Sequence, residues 1–300
     1  MKKLLFSFIA LCMGMCTMAQ SSVYVYQKDG KTLEIAVSNL DSISFTAPAA
    51  KPLAGVFSVA EGKTVKFAPG NLQYTQSTNT WAFAANQYEM LGSANISSSA
   101  LADKIDLFGW SANNTTAQWG ISISATASDY SGDFVDWGKN IGDGNTWRTL
   151  SKDEWYYLFY TRTNAATLFG LGSVNGINGT IILPDNWVCP SGITFNSSTT
   201  KGLTNEGNYY YNSIGDNFSH NTFTLSQWEQ LEQAGAVFLP VTDYRSGASM
   251  NNDQSGIYWS STANDTDNAY LVYFGSYALG PRSNDNRDSG QSVRLVQDVE

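Results

Sequence analysis

Reactive side chains are scarce in this chain, and their surroundings limit what they could do. His220 is the one histidine, and two of the three cysteines, Cys12 and Cys16, lie near the N-terminus. Structural zinc wants four Cys or His ligands, which Cys189 and His220 cannot supply between them. A Ser-His-Asp triad would have to use His220, which lies in Asp216-Asn217-Phe218-Ser219-His220-Asn221. That polar stretch reads as an exposed loop, not a strand end or nucleophile elbow. Cys189, in Trp187-Val188-Cys189-Pro190, reads as a small buried residue. Gly170-Leu171-Gly172 and Gly142-Asp143-Gly144 lack the lysine or the helix context of a phosphate loop. Neither metal nor cofactor is expected.

Carboxylates are more numerous. Asp103, Asp106, Asp129, Asp133 and Asp136 share one loop-rich stretch. Glycoside hydrolysis takes two such groups across a sugar, and nothing in the spacing says that any two converge. Asn264-Asp265-Thr266-Asp267-Asn268 alternates oxygen ligands as calcium loops do, yet lacks the glycine and distal glutamate of an EF-hand. It reads as an ordinary polar loop.

The elements that must position these groups are β-rich. Hydrophobic residues make up 42% of 300 residues, and 9 Trp, 16 Tyr and 15 Phe are ample core material, which excludes wholesale disorder. Only 14% of residues are charged, with a net charge of −9, so a broad basic footprint for nucleic acid or anionic lipid is excluded. Met1-Lys2-Lys3, an apolar run from Leu4 to Met15, and Thr17-Met18-Ala19 form a signal-peptide pattern over residues 1–19 with cleavage before Gln20. The apolar run is too short for a transmembrane span. Neither Cys12 nor Cys16 follows a lipobox, and Cys189 alone would remain after cleavage.

Residues 20–46 read as a small β segment in which Val23, Val25, Leu33, Ile35 and Val37 alternate around Lys28-Asp29-Gly30-Lys31, closing with Asp41-Ser42-Ile43-Ser44-Phe45. Residues 47–52, with two prolines, read as a linker, and 53–300 as one continuous domain. Its strands are expected at 56–59, 65–68, 181–183, 237–241, 257–260, 269–274 and 292–296. Ser151-Lys152-Asp153-Glu154 is a capping box opening a helix with Trp155, Leu158 and Phe159 inward. Ser226-Gln227-Trp228-Glu229 repeats the device, with Leu225, Trp228 and Leu231 on one face and Gly235 as the stop. The pattern predicts an α+β fold, a small irregular antiparallel sheet with two main helices and long loops. Arg294, on an apolar strand, is expected to meet a buried carboxylate or carbonyls.

Trp147-Arg148-Thr149-Leu150-Ser151-Lys152-Asp153-Glu154-Trp155 resembles the helix entry of formylglycine-generating-enzyme-like domains, a branch of the C-type lectin fold. Gly256-Ile257-Tyr258-Trp259-Ser260-Ser261-Thr262, Ala269-Tyr270-Leu271-Val272-Tyr273-Phe274 and Ser292-Val293-Arg294-Leu295-Val296 resemble the Fibrobacter succinogenes major paralogous domain and related exported proteins of Bacteroides-like bacteria. The resemblance covers nearly all of the mature chain and implies a C-type-lectin-like fold. The oxidation chemistry of the enzymes in that fold uses a C-terminal cysteine pair, which this chain lacks. Nor does it carry the Glu-Pro-Asn or Trp-Asn-Asp motifs of calcium-dependent lectins.

Variable proteins diversified by retroelements are the subgroup it resembles most. In them a changeable C-terminal surface is copied from a template with randomised adenines. That resemblance implies display residues at Tyr244, Arg245, Asn251, Asn252, Ile257, Asp265, Asp267, Asn268, Tyr270, Leu271, Tyr273, Gly275, Tyr277, Arg282, Asn284, Asp285, Asn286, Arg287 and Asp288. Between them Trp259-Ser260-Ser261, Val272, Phe274, Pro281 and Val293-Arg294-Leu295 look like fixed core. Tyr offers large contact area with few rotatable bonds, and Ser, Gly, Asn and Asp add adaptable hydrogen bonds, as in antibody paratopes. Alternation sends Val272 one way and Leu271 and Tyr273 the other, as in a half-exposed strand. The expectation is an exported, non-enzymatic receptor or adhesin, secreted or on the cell surface of a Gram-negative bacterium, that binds a protein or glycan. The alternative is a fixed-specificity carbohydrate-binding or adhesin component, with a secreted glycan hydrolase third.

Overall fold

A computed structural model describes residues 22–26, 31–39, 50–110, 117–142, 146–198, 212–213, 217–276 and 278–299. The chain divides into two compact units, Met1–Pro48 and Ala49–Glu300. In the first, β1 (Ser22–Tyr26) and β2 (Thr32–Ala36) pair antiparallel, with Val23 opposite Ile35 and Val25 opposite Leu33. The strand expected at residues 41–45 lies outside the described residues.

The second unit runs β3 (Phe57–Ala60), β4 (Lys63–Phe67), β5 (Leu72–Thr75), β6 (Thr80–Phe83), β7 (Ile96–Ser97), β8 (Ala100–Leu101), β9 (Lys104–Ile105), β10 (Arg148–Thr149) and α1 (Lys152–Tyr156). There follow β11 (Phe169–Val174), β12 (Ile177–Ile182), β13 (Asn212–Ser213), β14 (Thr222–Phe223), α2 (Leu225–Gln233) and β15 (Val237–Pro240). Then come β16 (Tyr244–Ser246), β17 (Ser249–Asn251), β18 (Gly256–Ala263), β19 (Asn268–Gly275), β20 (Ala278–Asn286) and β21 (Leu295–Val299). The architecture is α+β, mostly small antiparallel sheets. Three of them are four-stranded, in the orders β10-β21-β4-β3, β14-β11-β12-β15 and β13-β20-β19-β18.

Period-2 side-chain alternation explains how the sheets stack. Along β19, Val272 and Phe274 enter one core with Tyr258, Trp155, Phe159 and Phe67. Their neighbours Ala269 and Leu271 enter a second, with Trp259, Trp110, Trp137 and Phe108. β12 and β15 repeat the pattern. Ile182, Val237 and Leu239 join the first core, while Ile181 and Phe238 join a third, under Trp228 and Leu231 of α2. The first core therefore lies between two sheets, each of which has apolar cover on both faces, as in near-continuous apolar strands.

α1 opens on the expected capping box: the Ser151 hydroxyl accepts from the Glu154 amide at 3.2 Å, and the Glu154 carboxylate accepts from the Ser151 amide at 2.8 Å. Past Tyr156 the chain continues through a π-helical turn, Tyr157–Thr161. For α2 the expected cap is corrected. Thr224, not Ser226, is the N-cap, boxed with Gln227. Both positions fit the box pattern. The earlier start lengthens a short helix and still buries Trp228 and Leu231, leaving Leu225 39% exposed, off the expected inward face.

Arg294 is fully buried and is held by neutral oxygens. Its Nε donates to Asn71 Oδ1 at 3.0 Å, Nη1 to the Ala68 carbonyl at 3.1 Å and Nη2 to the Phe238 carbonyl at 2.8 Å. Asn71 in turn donates to the Tyr258 hydroxyl, which donates to the Pro240 carbonyl at 2.8 Å. Burial lowers the guanidinium pKa to about 10. A single ammonium cannot reach three acceptors in a planar fork. Arg294→Lys should lower the unfolding free energy in urea by about 2 kcal/mol, and Arg294→Ala by about 3–5 kcal/mol, because orphaned buried acceptors remain. A loss below about 0.5 kcal/mol in both variants would remove this residue from its structural role.

Candidate functional site

Of the residues weighed for catalysis, some hold the fold together and others stand exposed. His220 is exposed on a single 3-10 turn, Phe218–His220. Cys189 is exposed, correcting the buried expectation, and its thiol donates to the Ile193 carbonyl at 3.3 Å. The cause is a turn: residues 188–189 carry their side chains outward where Trp187 faces the third core. Asp103 accepts from the Ser77 amide and hydroxyl, and Asp129 closes a capping box with Thr126. Asp136 caps the turn Trp137–Asn140 and accepts from the Thr149 amide at 2.8 Å. Asp106 is buried, accepting from Asn95 Nδ2 at 2.7 Å and the Leu91 amide at 2.8 Å. Asp133 is exposed. In the polar loop at 264–268, Asp265 accepts from the amides of Asp267 and Asn268 at 2.8 and 2.7 Å, which closes the β18–β19 hairpin. Among the described residues no group of three His, Cys, Asp or Glu side chains is placed to hold a metal ion.

The display residues divide by burial. Tyr244, Asn251, Asn268, Tyr270, Tyr273, Arg282, Asn284, Asp285 and Asp288 are half-buried, and Asn252, Asp265, Asp267 and Asn286 are exposed. Five others are buried and present no face to a ligand. Ile257 and Leu271 belong to the second core, since the β19 face expected to be half-exposed is covered by that core. Arg245 has no exposure at all, and its Nη1 donates to the Gly247 carbonyl at 2.9 Å. Arg287 lies over the Trp110 ring at 4.4 Å and donates to the carbonyls of Tyr130, Asn268 and Asp265, holding the β18–β19 hairpin to the neighbouring loop. Gly275 is buried at the end of β19, where a Cβ would meet the Tyr273 hydroxyl at 2.9 Å. Tyr277 lies outside the described residues.

The accessible residues form two groups. Tyr244 pairs with Asn251 across the β16–β17 hairpin. Partial burial, then the charges of Asp253 and Asp285, raise the pKa of its phenol. The second group is more ordered. Tyr270 stands opposite Asn284 in the β19–β20 register, on the face that α1 covers. Arg282 Nη2 lies 3.0 Å from Asp153 of α1, and its guanidinium sits 3.7 Å from the Tyr156 ring centroid. Tyr156 stacks on Tyr160 at 5.0 Å with 4° between planes, and Lys152 Nζ lies 4.5 Å from the Tyr270 centroid. Tyr160, Tyr156, Arg282, Asp153, Lys152 and Tyr270 thus make one continuous ladder in which rings flank a run of paired charges. Its base is stiff: Arg148 clamps Glu154 through both guanidinium Nη atoms and reaches Asp298 of β21, and the Lys152 amide donates to Thr262 of β18.

The α1 half of the ladder escaped the sequence reading, which assigned this helix to the core. The available signal was Lys152, Tyr156 and Tyr160 at i, i+4, i+8, a second stripe beside Trp155 and Phe159. Compared with known protein families, curated proteins and solved structures, the chain matches none.

Burial predicts how the expected display positions respond to change. Leu271→Asn should cost about 2–4 kcal/mol of stability in chemical denaturation, whereas Asn284→Ala should stay within about 0.5 kcal/mol. Equal costs would contradict the division.

Asp106 sets a pH dependence. Burial raises its pKa from 3.8 to about 6, against the pull of Asn95 and the Leu91 amide. The folded state therefore holds the proton more tightly than the unfolded state. The contribution is complete below pH 3.8 and is lost as pH rises through about 6. Urea unfolding between those limits should show wild type losing on the order of 2 kcal/mol relative to Asp106→Asn. A difference between the two that does not vary with pH would refute the assignment.

Proposed function

We propose that this chain is an exported, non-enzymatic binding protein on a C-type-lectin-like scaffold, whose C-terminal region presents a variable surface to a protein ligand. The ladder from Tyr160 to Tyr270 carries the reading. Tyr rings and paired charges on rigid elements provide contact area and directional bonds without a large ordering cost, which is how paratopes work. The scaffold reading is supported by β4 pairing antiparallel with β21, which brings the start and end of the second unit together, and by α1 packing on β18, β19 and β20. The leader-like first nineteen residues support export.

Within this reading, diversification acts on the accessible subset alone. Tyr244, Asn251, Asn252, Asp265, Asp267, Asn268, Tyr270, Tyr273, Arg282, Asn284, Asp285, Asn286 and Asp288 tolerate exchange because their side chains reach solvent, Asp265 within the types that still accept from the hairpin amides. Arg245, Ile257, Leu271 and Arg287 do not, because exchange there opens a cavity or orphans a buried partner, and Gly275 does not, because an added Cβ meets the Tyr273 hydroxyl.

Deep sequencing of the 3′ end of this gene across a bacterial population is the test. The expected outcome is variation concentrated in the accessible codons, beside a near-copy template repeat and a reverse transcriptase gene. An invariant tail without such a repeat would overturn diversification, and variation spread equally over buried codons would overturn the surface assigned here.

A further inference from the structure

One cleft is lined by none of the display residues. Between β5, β6 and the turn Gln118–Gly120 is a cavity of about 470 Å³ lined by Tyr74, Trp81 and Trp119 with the amides of Asn79, Gln118 and Asn140, and, among the described residues, by no charged side chain. Tyr74 and Trp81 lie 4.6 Å apart at 40°, and Trp119 stands at 72° to Trp81, so the rings form a corner. Two further observations point to a ligand. The Asn140 amide nitrogen is buried and has no hydrogen-bond partner among the described residues, a cost that an incoming acceptor would relieve. Trp119 has φ +59°, a left-handed conformation that a bulky residue rarely adopts.

That conformation is enforced from below. Trp137, fully buried, donates its indole N–H to the Trp119 carbonyl at 2.9 Å. Gly120 at φ +72° packs so closely on Gly109 that no Cβ fits, and the Gly109 amide donates to its carbonyl at 3.0 Å. The core thus holds Trp119 half-exposed over the cleft although a relaxed backbone would carry the ring elsewhere. Strain retained beside an orphaned amide and an aromatic corner is the pattern of a preformed site.

We propose that this cleft binds a sugar ring of a neutral oligosaccharide, independently of calcium. The C–H face of a pyranose fits an aromatic ring, and its rim of hydroxyls fits amides that both donate and accept. The described lining carries no charge, and on a chain of net charge −9 it selects against anionic sugars. The site uses no residue of the C-terminal ladder, so it stands or falls separately from the function proposed above.

The full mature chain is titrated in EDTA with cellotetraose, maltotetraose, xylotetraose, mannotetraose and the anionic tetragalacturonate, by saturation-transfer NMR and calorimetry. At least one neutral tetrasaccharide should bind in the micromolar to millimolar range, and tetragalacturonate more weakly. Trp119→Ala should weaken binding about tenfold, the worth of one stacked ring. Gln118→Ala and Asn140→Ala should each weaken it about threefold, the worth of a modest hydrogen bond. Arg282→Ala and Tyr270→Ala should leave it unchanged. The proposal fails if no neutral tetrasaccharide shows saturation transfer at millimolar concentration, if tetragalacturonate binds as well as the neutral chains, or if a folded Trp119→Ala binds as wild type. Should Trp119→Ala not fold, Gln118→Ala and Asn140→Ala decide, and wild-type affinity in both overturns the site.

Discussion

A guanidinium near which, among the described residues, no carboxylate comes within ion-pair distance has to be carried by neutral oxygens, and the way Arg294 is carried organises the second unit. Its three donors reach Asn71, Ala68 and Phe238, so one side chain ties the segment after β4, strand β15 and the approach to β21. Through Asn71 and Tyr258 the chain of bonds extends to Pro240 and β18. These segments are far apart in sequence, and each offers the guanidinium a carbonyl or amide oxygen. A planar fork suits this task because its donors point in fixed, diverging directions. The cost is desolvation of a full charge, seen in the lowered pKa, and a single stable arrangement of the acceptors offsets it.

Fixing β15 and β18 in this way makes the double-faced sheets possible. A strand with cover on both sides has no solvent face to spare, and β19 illustrates the consequence. Tyr270, Val272 and Phe274 turn towards α1 and the first core, while Leu271 and Tyr273 turn towards the second. Accessible side chains therefore occur where cover runs out: at strand ends, at hairpin tips, and along the seam where α1 leaves Tyr270 and Arg282 half-exposed. A recognition surface on this sheet is a border rather than a face.

Much of this was legible in the sequence where a local rule decides the outcome. Ser151 and Glu154 sit three apart with apolar residues following at helical spacing, and the box forms. Val23, Val25, Leu33 and Ile35 alternate about a turn, and the hairpin forms. Arg294, alone among apolar neighbours, could survive only by finding oxygens, and it does. Legibility ends where two local rules compete or where tertiary cover matters. Thr224-Leu225-Ser226-Gln227 and Ser226-Gln227-Trp228-Glu229 are both capping boxes, and the packing of Trp228 selects the first. Alternation separated Leu271 from Val272 correctly, but a period of two says nothing of whether the outer face meets solvent or a second core. Arg245 and Arg287 look like surface residues in one dimension because the loops that bury them lie elsewhere in the chain. Trp119 gave no signal, since its placement depends on Gly120 lying against Gly109.

The second core links the two surfaces. Tyr74, Trp81 and Trp119 rest on it from the side of β5 and β6, and Tyr244 and Tyr273 rest on it from the C-terminal side. Its centre is made of large rings: Trp81 stacks on Phe108 at 5.5 Å, Phe108 meets Trp137 at 6.5 Å, and Trp259 donates its indole N–H to the Phe108 carbonyl at 2.7 Å. Close-packed rings of this size transmit strain and tolerate volume change badly. Exchange at accessible positions such as Asn284 or Asp267, whose side chains do not enter this packing, leaves Trp119 where it is. Exchange at Leu271 or Ile257, whose side chains do, would disturb both surfaces at once. A fixed site and a changeable one, as proposed, could share this scaffold only while the residues between them stayed constant, and the buried rings of the second core lie between them.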